Sequence, residues 1–209
     1  MPELISLIKR KEAFNTRTGQ YFHLGYDRFA AAEFIINAGG KLNGLALDIG
    51  TGKGLTAMAL ARNGLDVISI DINPEEQNLA RFLVKESGLD KQIQFLCKDA
   101  SALPYSDGYF GCGAMVDVLH HLETADPVLT ETARVLAPLG VLIIADFTAE
   151  GFDIVARLHR ENEHHHAVSG VTMDMAESFL CRKGFEPARR LAGHMHDVRI
   201  LIKKEDEKR

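Results

Sequence analysis

The segment from Leu45 to Gly54 constrains this chain more than any other. A short apolar run is broken by the acidic residue Asp48, and glycine then stands at every second position, Gly50, Gly52 and Gly54. Residues that favour a helix follow directly. Glycine permits backbone angles that other residues avoid, and it lets a ligand lie against bare main chain. Since the next helix also offers unpaired N–H groups and a positive dipole end, the loop predicts a nucleotide-like ligand.

The spacing of the glycines separates two kinds of nucleotide-binding loop. The dinucleotide fingerprint is Gly-x-Gly-x-x-Gly, with the third glycine one turn into the helix. Here the pattern is Asp-x-Gly-x-Gly-x-Gly, and Leu55 stands where that third glycine would fall. The segment resembles the first motif of the class I S-adenosylmethionine-dependent methyltransferases. The resemblance implies that the methionine part of the cofactor, S-adenosyl-L-methionine, is bound by Asp48, Gly50, Thr51, Gly52 and Gly54.

A second strand, Val67 to Ile70, ends at another acidic residue, Asp71. Asn73 and Pro74 then begin a helix, as its cap and its first residue. A carboxylate at the end of the second strand of a doubly wound sheet can accept hydrogen bonds from the ribose hydroxyls of an adenosine. We therefore expect Asp71, with the adjacent Ile72, to contact the cofactor; the alternative is an ordinary surface aspartate.

Two later segments match the methyltransferase pattern, in order along the chain. After a third strand at Ile93 to Leu96, the pair Asp99-Ala100 stands where the family binds the adenine amino group. After a fourth strand at Tyr109 to Val116, Asp117 begins a loop that in the family passes beside the sulfonium and its methyl group. The resemblance thus implies cofactor contacts for these three residues.

The end of the chain predicts how the sheet closes. A helix from Thr172 to about Lys183 precedes two strands, Phe185 to Leu191 and Asp197 to Lys203, joined by a short turn. Dehydrogenases of the Rossmann type continue instead with parallel strands and helices, whereas the methyltransferases end in such a hairpin. The expected fold is α/β: a Rossmann-like doubly wound seven-stranded sheet of order 3-2-1-4-5-7-6 with an antiparallel last strand.

The resemblance covers about residues 25 to 147 and departs from the family at two positions. Leu139 stands where glycine is common, in the turn before a fifth strand expected at Val141 to Ala145. Asp117 stands where a small polar residue is common, which affects the substrate side more than cofactor binding.

Composition limits the partners of the chain. Its 209 residues predict a single domain, 1–209, and the net charge of −5 with no basic cluster outside a mixed tail argues against nucleic acid. The cysteines, Cys97, Cys112 and Cys181, are odd in number and lack metal-type spacing, which favours a cytoplasmic location. No signal peptide or membrane span is recognised. We expect a monomer or homodimer that acts on a small molecule.

The first forty residues predict a helical region over residues 1–40. It contains a short first helix, a loop at Asn15 to Gln20, and a second helix that Asp27 caps. The region either packs against the domain or forms a lid over the site. In the second interpretation Tyr21 contacts the substrate.

A long connection, Phe147 to Val171, precedes the Thr172 helix, and its length predicts structure of its own or a cover for the site. Residues Phe152 to His166 can form a helix with His159, Glu163 and His166 on one side. Three interpretations of the histidine run at 164–166 stay open: solvated surface, a substrate-binding or acid–base cluster, and a metal site. Since the pattern matches no known ligand motif, no metal is predicted.

Because ligands bind at the carboxyl ends of parallel strands, several histidines are expected to meet at one edge of the sheet. His120 and His121 follow the fourth strand and are the candidates for a catalytic general base. The candidates for substrate binding are Tyr21, His159, His164, His166 and His196.

The predicted function is transfer of a methyl group from S-adenosylmethionine to a small-molecule acceptor. One alternative is a cofactor-binding sensor or partner subunit without turnover, and another is an NAD-type oxidoreductase, which the glycine spacing disfavours. The sequence leaves the acceptor atom open among oxygen, nitrogen, carbon, sulfur and a metalloid.

Overall fold

A computed structural model describes residues 2–161 and 169–205, and the side chains of residues 4–158 and 169–205. The strands are β1 (Ala46–Ile49), β2 (Val67–Asp71), β3 (Ile93–Cys97), β4 (Phe110–Val116), β5 (Leu136–Phe147), β6 (Phe185–Gly193) and β7 (His196–Lys203). The helices are α1 (Pro2–His23), α2 (Arg28–Ala38), α3 (Leu55–Arg62), α4 (Pro74–Glu86), α5 (Asp126–Val135), α6 (Ala149–Glu161) and α7 (Met173–Arg182), and a 3-10 turn covers Leu119–His121.

The seven strands form one sheet in the order β3-β2-β1-β4-β5-β7-β6. β1 to β5 pair in parallel, whereas β7 is antiparallel to both β5 and β6. The predicted strand order and the antiparallel last strand are confirmed. The carboxyl ends of β1 to β5 therefore lie at one edge of the sheet, together with the start of β7.

Helices cover both faces of this sheet. Apolar side chains of α2, α3 and α4 pack on one face, and those of α5 and α7 pack on the other. The helix starts follow the expected capping chemistry: Asp27 accepts from two amides of α2, Asn73 from the Glu75 amide and Thr172 from the Met175 amide. The residues that the sequence predicts as helix caps therefore cap these helices in the folded chain.

The structure corrects the expected short helix and loop at the N-terminus. Residues 15–20 do not form a loop, because α1 runs without a break from Pro2 to His23. Phe14 is buried in the middle of α1 against Leu79 and Leu83 of α4. This tertiary contact outweighs the weak local preference of the polar residues that follow it.

The fifth strand is longer than expected. The sequence predicted a strand only at Val141 to Ala145, yet β5 begins at Leu136 and ends at Phe147. The pairing with β4 shifts register between Phe110 and Cys112, so the expected turn is an irregularity inside the strand. Leu139 adopts a φ of 63° there, which is the left-handed conformation that favours glycine.

The connection after β5 contains the helix α6. Val155 and Leu158 of this helix are buried with Tyr21 and Tyr26, so α6 packs against the end of α1 and the start of α2. The side chain of His159 and the whole of residues 164–166 lie outside the described part of the chain. Within that part, no helix is both long and apolar enough to span a membrane.

Candidate functional site

A cavity of about 530 Å³ lies at the carboxyl ends of the parallel strands. The loops that follow β1, β2, β3 and β4 all contribute to its wall. Its volume is within the range of small-molecule and cofactor sites, roughly 300–1,000 Å³. Seven of the predicted cofactor residues line this first cavity: Gly50, Gly52, Asp71, Ile72, Asp99, Ala100 and Asp117.

The glycine loop forms one wall of the first cavity. Gly50 has a φ of 83°, and a Cβ at this position would overlap Cγ2 of Val118. Gly54 has a φ of 79° and begins α3, where an added Cβ would lie 3.2 Å from the Cβ of Ala80 on α4. Glycine at both positions therefore serves backbone conformation and close packing.

Asp71 connects the glycine loop to the end of β2. Its Oδ2 accepts from the Gly52 amide at 3.0 Å, and its Oδ1 accepts from the Asn73 amide at 2.8 Å. A carboxylate offers about four lone-pair sites, so two more hydrogen bonds can be accepted from a ligand. The neighbouring Ile72 is 72% exposed and lies in the cavity wall, where an apolar ligand surface could cover it.

Asp48 lies behind the loop and does not line the first cavity. It is fully buried, and its Oδ2 accepts from Ser69 Oγ at 2.6 Å. Ser69 is also hydrogen-bonded to Thr51 Oγ1 at 2.6 Å, so a polar chain supports the glycine loop from below. Burial raises the pKa of Asp48 to about 7, against the lowering effect of the Ser69 hydrogen bond.

Asp99 and Ala100 lie in the loop after β3. The Asp99 side chain is exposed, and its Oδ1 accepts from the Ser101 amide at 2.8 Å. This hydrogen bond lowers the pKa of Asp99, so the carboxylate is charged and accepts hydrogen bonds near neutral pH.

A second cavity, of about 250 Å³, adjoins the first and shares four wall residues with it, Gly50, Gly52, Asp117 and His121. α1, α2 and α6 supply further walls. The wall residues that the first cavity lacks include Tyr21, Tyr26, Arg28, Thr51, Lys53, His120, Phe147 and Val155. The N-terminal helices and the connection after β5 thus both reach the site.

His120 and His121 have different environments. His120 is buried, and its Nδ1 lies 2.6 Å from Oδ1 of Asp146. The His120 amide donates to the other oxygen of Asp146 at 3.1 Å. Since a carboxylate accepts, the neutral ring carries its proton on Nδ1 and its basic atom is Nε2. His121 is exposed and lines both cavities.

Sequence reasoning did not identify Asp146. It is buried at the end of β5, where an acidic residue interrupts an apolar strand. The signal that could have found it is the same one that identified Asp48 and Asp71, a carboxylate at the carboxyl end of a parallel strand.

His196 is buried and pairs with Asp117, whose side chain is partly exposed. Its Nδ1 lies 2.7 Å from the His194 carbonyl oxygen, and its Nε2 lies 3.0 Å from Oδ1 of Asp117. A carbonyl and a carboxylate both accept, so this arrangement favours the protonated ring, which donates from both nitrogens. Burial lowers the pKa of His196, but the hydrogen bond to Asp117, the charges of Asp117 and Asp146 and the His194 carbonyl together outweigh burial, so the net shift is upward.

This geometry places His196 behind Asp117, and the expected role of His196 in binding substrate stays a prediction. The ring is fully buried and both nitrogens are already bonded, so His196 reaches the site only through Asp117. Asp117 borders both cavities with a φ of 56°, in the left-handed region that few residues other than glycine, asparagine and aspartate adopt. The ion pair is thus one of the contacts that hold Asp117 in this position.

The ion pair predicts a pH-dependent stability. Since the folded pKa of His196 lies above its ordinary value of 6.5, its contribution is complete below that value and is lost as the pH rises through the raised pKa. Urea unfolding between about pH 6 and about pH 9 should show a steeper loss in wild type than in His196→Gln. His23→Gln, at an exposed histidine, is the control. Parallel pH curves for wild type and His196→Gln would contradict the assignment.

The remaining candidates divide between described and undescribed residues. Tyr21 is buried and lines the second cavity, and its contact with a substrate stays a prediction. The side chain of His159, and His164 and His166 entirely, lie outside the described part. Among the residues whose placement is described, no group of three His, Cys, Asp or Glu is arranged to hold a metal ion.

Comparison with known proteins gives consistent results. The model of the family described as "Methyltransferase domain" matches residues 47–144. Methyltransferase GfsG of Streptomyces halstedii is 36% identical over 117 residues, which are 56% of this chain and 41% of that protein. The 27-O-demethylrifamycin SV methyltransferase of Amycolatopsis mediterranei is 31% identical over 157 residues, 73% of this chain and 56% of that protein. The chain thus spans about half the length of these relatives.

A solved structure shares the fold over nearly the whole chain. It is that of a putative S-adenosyl-L-methionine-dependent methyltransferase from Methanococcus maripaludis, with a TM-score of 0.71 and 21% sequence identity. The superposition covers 94% of this chain and 93% of that one. At this identity the likeness establishes the fold.

Proposed function

We propose that this chain is a class I S-adenosylmethionine-dependent methyltransferase, and that it transfers a methyl group from S-adenosyl-L-methionine to a small-molecule acceptor. The observation that carries the proposal is the pair of adjoining cavities. One is lined by the family's cofactor-binding positions, and the other contains a buried histidine that a carboxylate orients.

The residues of the first cavity fit the cofactor. Bare backbone at Gly52 leaves room that a side chain would fill, and the carboxylates of Asp71 and Asp99 offer acceptors at two separate places. We assign Asp71 and Ile72 to the ribose, and Asp99 with Ala100 to the adenine. Thr51 and the glycines are assigned to the methionine part. Asp48 supports the loop from below through Ser69 and Thr51.

The cofactor supplies an activated methyl group on a sulfonium, so the protein has mainly to align the reactants and to exclude water. The aromatic rings of Tyr21, Tyr26 and Phe147 line the second cavity, where Tyr26 packs edge-on against the other two. His120 is placed to remove a proton from the acceptor, because Asp146 holds the proton on Nδ1 and leaves Nε2 basic.

Asp71→Ala should weaken S-adenosylmethionine binding by about 1–3 kcal/mol, since hydrogen bonds to a charged group have roughly that value. Isothermal titration calorimetry on the purified variant measures the change. Asp107→Ala is the matched control, because Asp107 is exposed and forms its ion pair with Arg134, away from both cavities. Unchanged affinity in a folded Asp71→Ala protein would remove Asp71 from the ribose site.

Turnover is tested separately from binding. The protein saturated with S-adenosylmethionine is incubated with a small-molecule metabolite extract, and S-adenosylhomocysteine is measured over time. Release well above that of an extract-free sample is expected. Tight cofactor binding with no release above that background would contradict the proposed reaction and indicate a binding protein.

A further inference from the structure

A third cavity, of about 750 Å³, lies between α1 and α4. It opens beside the second cavity, because Tyr21, Arg28, Lys53 and His121 line both. The rings of Phe14 and Tyr21 provide an apolar part of its wall. A molecule too large for the second cavity could therefore extend into this space while one end reaches His120.

The wall of the third cavity is strongly cationic, although the whole chain has a net charge of −5. It contains four basic side chains, Arg10, Arg17, Arg28 and Lys53, and one carboxylate, Glu76. Arg10 bonds to Glu75 at 2.7 Å and Lys53 bonds to Glu76.

Arg17 and Arg28 differ from the other two basic side chains. Neither forms an ion pair with a carboxylate of the described residues. Arg28 is held instead by stacking, with its Cζ 5.2 Å from the Phe14 ring centre and 5.4 Å from that of Tyr21. The cavity thus has two guanidinium groups without a carboxylate counter-ion in the described structure.

The charges of both guanidinium groups affect the pKa of the same hydroxyl group, that of Tyr21. Burial raises the pKa of Tyr21, the positive charges of Arg28 and Arg17 oppose that shift, and the charge of Asp117 adds to it. Tyr21 is therefore close enough to both arginines, and to the Asp117 carboxylate that borders the first two cavities, for all three charges to act on it. The cationic part of the third cavity begins at the entrance to the proposed reaction site.

We propose that the methyl acceptor is an anionic small molecule whose carboxylate or phosphate binds at Arg17 and Arg28 while its reacting atom reaches His120. This inference rests on the proposed methyl transfer. An apolar or aromatic body would lie against Phe14 and Tyr21. Arginine suits this role because its planar fork matches the oxygens of a carboxylate or phosphate.

The methionine carboxylate of the cofactor is the competing anion for these arginines. Arg28 lines both the second and the third cavity, and the glycine loop also lines the second. Arg17 lines the third cavity but not the second. Changing Arg17 therefore distinguishes an anion site for the acceptor from a site for the cofactor carboxylate.

The test uses protein saturated with S-adenosylhomocysteine, so that the cofactor's own carboxylate site is filled. Benzoate and phenyl phosphate are titrated as anionic probes, and benzamide as the neutral match of benzoate, with ligand-observed NMR as the readout. The anions should bind to wild type more tightly than benzamide does. Arg17→Gln should weaken binding of the anions by about tenfold or more, whereas its affinity for S-adenosylhomocysteine should stay within about threefold of wild type. Arg62→Gln, which changes an arginine paired with Glu33 outside these cavities, should leave both affinities unchanged.

Three results would overturn the anionic acceptor. They are equal binding of benzoate and benzamide to wild type, unchanged anion binding in a folded Arg17→Gln protein, and a loss of S-adenosylhomocysteine affinity in that variant as large as the loss for the anions. The comparison of benzoate with benzamide on wild-type protein tests the anionic acceptor even where a variant does not fold. A wild-type protein that fails to bind S-adenosylhomocysteine would instead contradict the proposed function.

Discussion

Gly50→Val is expected to lower the affinity for S-adenosylmethionine by about 100-fold. Gly50 has a φ of 83°, and a Cβ there would overlap the side chain of Val118, which itself lines the first cavity. The left-handed conformation costs a branched residue roughly 1–2 kcal/mol and overpacking costs about 1–3 kcal/mol. The loop is expected to move, which relieves the backbone strain and the overlap. This movement displaces Gly52, whose amide donates to Asp71.

Gly64→Val is the control that distinguishes the effect of backbone strain from the effect of a displaced cofactor loop. Gly64 has the same φ of 83°, but nothing lies within 4 Å of an added Cβ there. Both variants should lose stability in urea unfolding, whereas only Gly50→Val should lose cofactor affinity in calorimetry. A folded Gly50→Val protein that binds within about threefold of wild type would show that the loop does not contact the cofactor as assigned.

The sheet order could be predicted because local signals and tertiary packing agree. The buried strand β1, the glycine spacing after it, and the Asn73-Pro74 helix start are all local features, and the hairpin β6–β7 is local as well. Where local and tertiary preferences conflict, prediction fails. The supposed loop at 15–20 became part of α1 because Phe14 is buried against α4, and this contact joins segments about 65 residues apart.

The pairing of polar groups at the site could not be read from the sequence. His120 and Asp146 are 26 residues apart, and Asp117 and His196 are 79 residues apart. The fold predicts that such residues share one edge of the sheet, but it does not predict which side chains turn inward. His196 was expected to face a substrate for that reason, and its ring is instead buried against Tyr26 and Phe147.

The same distinction applies to the two adjacent histidines. The sequence presents His120 and His121 as equivalent candidates for a general base. The 3-10 turn that contains them separates their directions, so that His120 is buried against Asp146 and His121 stays exposed. A buried base that is already oriented loses little conformational freedom in the reaction, which favours His120 for the catalytic role.

His120→Asn is accordingly expected to reduce the rate of methyl transfer by about 10²–10⁴-fold, the usual contribution of a positioned general base. Asparagine retains an N–H group near the position of Nδ1, so the hydrogen bond to Asp146 can persist while the basic Nε2 is removed. S-adenosylhomocysteine release with a small-molecule extract measures the rate, and calorimetry should show cofactor affinity within about threefold of wild type. His121→Asn is the matched control and should change the rate by less than about tenfold, since His121 is exposed. Equal losses in the two variants, or an unchanged rate in His120→Asn, would show that His120 takes no proton from the acceptor.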